Sequence, residues 1–398
     1  MADSRANPTR WPVALLAILA AGCVVPLSSP STSASDAAAD VASPDAGVVP
    51  PDTGLPADAP GGSDALPTPA GWTNVTSNLA NLSSECGNMA SVFVKPDEDL
   101  LIAGVARLGL WGSRDGGGSW QPMTADAGAG NIINRPSSLV FDPQNSMKFW
   151  ESGIYNGQGV FVTADDGATF APLGNVTSND LVSVDFSDPN RQTLLAGGHE
   201  TSQKLFRSID GGMTWTNVGA GLPAGSYCTH PLIISGQVYL VGCAGGGGPS
   251  GVYTTTDAGG TWTQMTASGG SEAPLRASDS SIYWSSPNDR GLTRSTDNGL
   301  HWADTVGANV ISSSHPIELP DGRLATISAP HTIVISSDHG VSWTPVPGGA
   351  LPYSDAVGLV YSQPRKAFYT WRLTCGFNGP VPVPADAIMR FAFDYQKG

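Results

Sequence analysis

Histidines, loop arginines and a thin scatter of carboxylates are the residues of this chain with the types to do chemistry. Four histidines, His199, His230, His315 and His331, can each ligate a metal or act as a base near neutral pH. No two of them stand three or four residues apart, so spacing alone selects no ligand set. His301 and His339 occupy variable positions of a repeated motif and read as incidental. No two cysteines are close in sequence, which excludes a Cys-x-x-Cys metal site. There is no Gly-x-Ser-x-Gly elbow and no phosphate-binding glycine loop; the run Gly245–Gly248 leads into no helix and reads as flexible spacing. No cofactor and no metal are expected.

The elements that must position these residues are set by the repeat. Six stretches follow the rule Ser/Thr-x-Asp-x-Gly-x-x-Trp/Phe: Ser113–Trp120, Thr163–Phe170, Ser208–Trp215, Thr255–Trp262, Ser295–Trp302 and Ser336–Trp343. Their aspartates, Asp115, Asp165, Asp210, Asp257, Asp297 and Asp338, recur every 40 to 50 residues. Each stretch follows a β-branched or aromatic run and precedes a shorter one, the pattern of strand, tight turn, strand. An Asp at such a turn accepts backbone N–H bonds one to three residues on, and the Gly takes positive φ. The aspartates are therefore read as structural. About four strands per period is the signature of a β-propeller.

The motif resembles the Asp-box (BNR) repeat of sialidases, xyloglucan hydrolases, sortilin-type receptors and a photosystem II assembly factor family, over about residues 71–398. That resemblance implies an all-β propeller and says little about activity, since the group mixes enzymes with binders. Gly71-Trp72-Thr-Asn-Val-Thr matches Thr214-Trp215-Thr-Asn-Val-Gly and reads as an outer strand without its turn. At the far end, 356–363, 367–374 and 387–395 form three strands and no turn. Seven blades follow: 82–124, 137–174, 181–219, 228–266, 276–306, 315–346, and 356–395 completed by 71–79. A six-bladed ring is the rival. The ring predicts disulfides Cys228–Cys243, opposite each other across a hairpin, and Cys86–Cys375, which are neighbours only if the last blade meets the first. Four free or differently paired thiols are the alternative.

In a propeller the loops entering inner strands share one face with the loops after second strands, and ligand sites occupy that face. Arg107, Asn134, Arg135, Glu151, Tyr155, His199, Glu200, His230, Arg276, Asp289, Arg290, His315, His331, Tyr353 and Asp355 map there. The sialidase resemblance would ask for three arginines on a substrate carboxylate, a Tyr–Glu pair and an acid. Arg107, Arg276 and Arg290, with Glu151 and Tyr353, are the candidates, and His199 is a further one. The Arg-Ile-Pro signature of that family is absent; Ser91–Pro96 stands in its place.

Arg5 and Arg10 precede an apolar run, Trp11 to Ala21, too short to span a bilayer. With small residues ending at Cys23 this reads as a bacterial lipoprotein signal over 1–23, lipidated at Cys23; simple secretion is the alternative. Residues 24–70 hold nine prolines, six aspartates and no aromatic, Lys or Arg, so they read as a disordered linker. The net charge of −15 argues against nucleic acid and anionic membranes as partners. The expectation is a monomeric, exported protein of the outer membrane or cell surface. It would touch the membrane only through its lipid and bind an envelope protein or glycan without catalysis. The alternative is a carbohydrate-active enzyme, a glycoside hydrolase or polysaccharide lyase.

Overall fold

The structure is a computed structural model that describes residues 71–123, 132–286, 291–305, 314–375 and 379–397. The signal segment with Cys23, the linker 24–70, Asp289 and Arg290 lie outside the described residues.

Seven four-stranded antiparallel sheets form a seven-bladed β-propeller. The inner strands are Met89–Val94, Arg135–Asp142, Asn179–Val184, Tyr227–Ile233, Ser271–Arg276, Ile317–Glu318 and Ala356–Ser362. Glycine-rich, β-branched segments suit this arrangement, because each strand is short and half its side chains must pack between sheets. The buried hydrophobics fall into seven clusters, and each bridges two neighbouring blades. Leu195 and Leu205 of the third blade meet Tyr239 and Val241 of the fourth, and Leu240 and Val252 of the fourth meet Ile282 and Trp284 of the fifth. Ile327 and Ile333 of the sixth meet Leu359 and Phe368 of the seventh. The core is thus a ring of interfaces, and no blade buries its faces alone.

The two chain ends close that ring as expected. Trp72–Asn74 pairs antiparallel with Ile388–Ala392 as the outer strand of the last blade, with Trp72 opposite Phe391. The Trp72 indole donates to the Ala350 carbonyl of the sixth blade at 2.8 Å. A second, unforeseen pairing joins Ser83–Ser84 to Val381–Pro382. Both expected disulfides are present: Cys86–Cys375, and Cys228–Cys243, whose residues are register partners in one hairpin.

The repeated turns share one hydrogen-bond scheme. In Ser113–Trp120 the Ser113 hydroxyl donates to Asp115 Oδ1 (2.8 Å) and accepts from Gly117 N–H (2.8 Å). Asp115 then accepts the Ser119 N–H and hydroxyl at 2.9 and 2.7 Å. The bonded N–H is four residues beyond the Asp, further than the one to three expected, because the turn is a wide loop with the carboxylate at its centre. His301 is a second correction: its Nδ1 stands 2.6 Å from Asp297 Oδ2, the place a Ser or Thr hydroxyl takes in the other five turns. These bonds hold the carboxyls of Asp115, Asp210, Asp257, Asp297 and Asp338 down at about 2. The turn aromatics also fasten blades together. Trp120, Trp215 and Trp262 donate to Val75, Leu173 and Val218, all on the preceding blade. The turn glycine is obligatory where the blades meet. Gly259 has φ +93°, and a Cβ there would stand 2.6 Å from Val218.

Two outcomes are expected. Thr163→Val keeps the shape of a buried turn residue and deletes its bonds to Asp165 and Gly167. It is expected to cost about 1–3 kcal/mol in urea denaturation. Cys375→Ser frees a closure of sequence separation 289 and is expected to lower stability by up to about 5 kcal/mol in the chain-entropy account. An unchanged denaturation midpoint in either variant would contradict the assigned role.

Candidate functional site

Six inner strands carry a register shift near their first residues: Met89/Ser91, Pro136/Ser138, Asn179/Val182, Cys228/His230, Ser271/Leu275 and Ala356/Gly358. A bulge adds a residue on one strand and re-aims its side chain. All six lie at the same end of the ring, the end away from the repeated turns, so the bulges face one mouth of the central channel. Neighbouring side chains hold them. Ser137 donates to the carbonyls of Asn179 (3.1 Å) and Asp180 (2.7 Å), and the Trp284 indole donates to the Glu272 carbonyl at 2.8 Å. Glu272 has φ +53°, a left-handed conformation that a glutamate adopts only under constraint.

These bulges bring together Asp180, His230 and Glu272, joined by His199 from the loop above and His315 at the entry to the sixth blade. His199 Nδ1 lies 2.8 Å from Asp180 Oδ1, and its Nε2 lies 3.1 Å from the Tyr155 hydroxyl. A proton on Nδ1 shared with the carboxylate leaves Nε2 to accept from Tyr155. The Tyr155 and His199 rings meet edge to face at 5.0 Å. Glu200 Oε1 stands 3.8 Å from His199 Nε2.

The electrostatics of the group is set by desolvation. Burial, and then the nearby charge of Asp180, push the Glu272 carboxyl up to about 8. The residue itself is half-buried. Burial likewise lowers His230, although Asp180 opposes this, and takes His315 down to about 4. Near neutral pH the site therefore holds a protonated Glu272 flanked by uncharged imidazoles. Below it, Leu139–Val140, residues 181–187, Pro231–Ile234, Ala273–Pro274 and Arg276 line a cavity of about 440 Å³. Among the described residues no group of three or more His, Cys, Asp and Glu is arranged to hold a metal ion.

The residues singled out from sequence divide. His199, His230 and Tyr155 are brought together, with His315 beside them. His331 sits on the turn after Leu324–Ser328, at φ +72°, and forms no hydrogen bond with them. Arg107 is at the same mouth, bonded to Glu85 Oε2 (3.3 Å) and Asn156 Oδ1 (3.4 Å). Arg276 is not, which corrects its assignment to this face. The strand Ser271–Arg276 starts five residues before the expected 276, so Arg276 ends it about 13 Å from Glu272 and reaches Asn298 in a repeated turn. Arg107 and Arg276 thus form no clamp. Glu151 is fully buried inside the strand Asn145–Ile154, with Asn134 Nδ2 at 3.3 Å, and burial raises its carboxyl to about 8. Tyr353 is buried against Phe391 and Leu359, its hydroxyl 3.3 Å from the Ala387 carbonyl, and burial raises its hydroxyl far above the ordinary range. Neither side chain opens on the channel.

Sequence reading passed over Asp180 and Glu272. The third and fifth blades were drawn from 181 and 276, so both residues fell just outside them. The available signal was polar residues, Asn179-Asp180 and Ser271-Glu272, standing directly before strand-forming runs.

No family model matches the chain. It is 26% identical over 223 residues to a "probable oligoxyloglucan-reducing end-specific xyloglucanase" of Neosartorya fischeri, covering 48% of this chain and 26% of that protein. It is 27% identical over 202 residues to a xyloglucanase of a Paenibacillus species, covering 43% of this chain and 19% of the relative. The chain thus spans about a quarter or less of the length of these two relatives. Among solved structures, the GH74 enzyme of Niastella koreensis superposes with TM-score 0.53 at 15% identity, over 77% of this chain and 55% of that one, a likeness of fold. These relatives overturn the expectation of a non-catalytic binding or scaffold module: the curated proteins it resembles over part of its length are named as xyloglucanases.

Glu151, fully buried, and Glu272, half-buried, fix an expected pH dependence. Glu151 and Glu272 stay protonated in the fold to about 8 but would release their protons near 4.5 when unfolded. Their contribution is complete below 4.5 and is lost as pH rises through about 8. Glu151→Gln is therefore expected to flatten the fall in denaturant midpoint between pH 5 and 9. An equally steep fall in that variant would refute the assignment.

Proposed function

We propose that this chain is a glycoside hydrolase that cleaves a neutral polysaccharide of the xyloglucan type. The observation that carries the reading is the Asp180–Glu272 pair, two carboxyls within Coulombic reach whose surroundings differ. Glycoside hydrolysis needs one carboxyl that keeps its proton and one carboxylate beside it. Glu272 gives its proton to the glycosidic oxygen as the bond from the anomeric carbon breaks. A water oxygen adds to that carbon, and its proton passes to Asp180. His199 holds the Asp180 carboxylate through Nδ1, and Tyr155 holds His199. The xyloglucanase relatives support this chemistry, and the uncharged histidines suit an uncharged sugar.

The reading extends to the chain's location and its repeat. The turns are of the Asp-box type, supported by their shared bonding scheme. The chain is exported, lipidated at Cys23 and held off its membrane by residues 24–70. The apolar run before Cys23 supports this, as do two disulfides that suit an oxidising compartment.

The test is release of reducing ends from xyloglucan by the purified chain. Glu272→Gln is expected to lower kcat by about 10²-fold or more, and the wild-type rate to fall as pH rises past about 8, where the donor loses its proton. Full activity in both Glu272→Gln and Asp180→Asn would move the chemistry elsewhere. No release from xyloglucan or any other neutral β-glucan would sink the proposal.

A further inference from the structure

Beside the carboxyl pair, the first and second blades expose a cluster that shares only Tyr155 with the hydrolytic group. Leu108, Ile133 and Tyr155 are 37%, 39% and 39% exposed, on loops that touch through the bond from Arg107 N–H to the Asn134 carbonyl (3.3 Å). Ile133 lies against Gly157: a Cβ on that glycine would stand 2.8 Å from its Cγ1. Around these apolar groups stand polar ones already in place. Arg107 Nη1 reaches Glu85 and Asn156, and Asn156 Nδ2 donates to Glu85 Oε1 at 2.8 Å.

Two of these side chains stand on strained backbone. Arg107 and Tyr155 have φ +65° and +67° in the tight turns after the second strands of their blades. The corresponding turn of the fourth blade uses Gly245, at φ +74°. Cβ-bearing residues in that conformation cost stability, at Arg107 and Tyr155 as at Glu200 and His331 in the third and sixth blades. Tyr155 is also fixed in place, since its hydroxyl bonds His199. Its ring thus touches the Asp180 site through His199, two residues before the glycine that Ile133 lies against.

We propose that this patch is a sugar-binding subsite, which holds the part of the glycan chain that runs away from the cleaved bond over the first two blades. This rests on the hydrolase reading. A sugar ring offers C–H faces, which pack on Tyr155, Ile133 and Leu108, and hydroxyls in pairs, which match Arg107, Asn156 and Glu85. A neutral glycan also suits the pairing of Arg107 with Glu85, in which the two charges offset each other.

The test titrates xyloglucan oligosaccharides into the chain carrying Glu272→Gln, by calorimetry. Adding Arg107→Ala, Ile133→Ser or Tyr155→Ala is expected to weaken binding about tenfold each. Tyr155→Phe, which keeps the ring but loses the bond to His199, is expected to bind more tightly than Tyr155→Ala, and Met213→Ala, in a repeated turn, serves as the folded control. In the active chain, Arg107→Ala and Ile133→Ser are expected to raise KM with kcat little changed. If both leave binding and KM within about twofold while Glu272→Gln abolishes turnover, the subsite is wrong and the hydrolase stands. If the oligosaccharides bind and these variants weaken them but no glycan is cut, the subsite stands and the hydrolase fails. Absence of oligosaccharide binding overturns the subsite, and capture of a protein through this patch instead would do the same.

Discussion

Everything in this molecule hangs on the seam at which the first described strand completes the last sheet. A blade alone has two apolar faces and two open edges, and it can satisfy neither. Seven blades in a ring cover every face, but only if the ring shuts. Trp72–Asn74 shuts it by pairing with Ile388–Ala392, and Cys86–Cys375 repeats the closure covalently one turn further in. The channel exists because of that seam. So does the mouth, where bulges from separate blades turn Asp180, His230 and Glu272 toward one another.

The chemistry of the mouth follows from where the ring places its apolar residues. The same inner strands carry the polar bulges at one end and line the cavity below. A carboxyl at the boundary is hemmed in by protein and faces the charge of Asp180. Glu272 therefore keeps its proton, while His199 engages Asp180 directly at 2.8 Å. The division of labour between two chemically similar side chains comes from their surroundings, with no need of a special residue type.

The scaffold was legible in the sequence because its information is local. The Ser/Thr, Asp and Gly of each turn stand within five residues, and the aromatic follows at a fixed distance. The cysteines reported closure because they could be checked against a counted ring. The site was legible only in part. His199 and Tyr155 lie in loops that punctuation marks, but Asp180 and Glu272 sit where a bulge breaks the two-residue alternation. A reading based on alternation starts the strand after them. Glu151 and Tyr353 misled in the opposite sense: polar types near expected loops, they are drawn inward by a ten-residue strand and by the packing of the last two blades. The exact companion of a charge across the channel is a property of the closed ring and has no neighbourly trace in the chain.

The position of the seam also has a mechanical meaning. The chain continues before residue 71, so any pull exerted through it loads the three-residue strand Trp72–Asn74 before any other part of the domain. That strand can peel, but the tear runs only as far as Cys86, where the bond to Cys375 transfers the force to the last blade. A propeller tugged from its leading end is thus built to fray by one short ribbon and then hold, with its channel mouth still assembled.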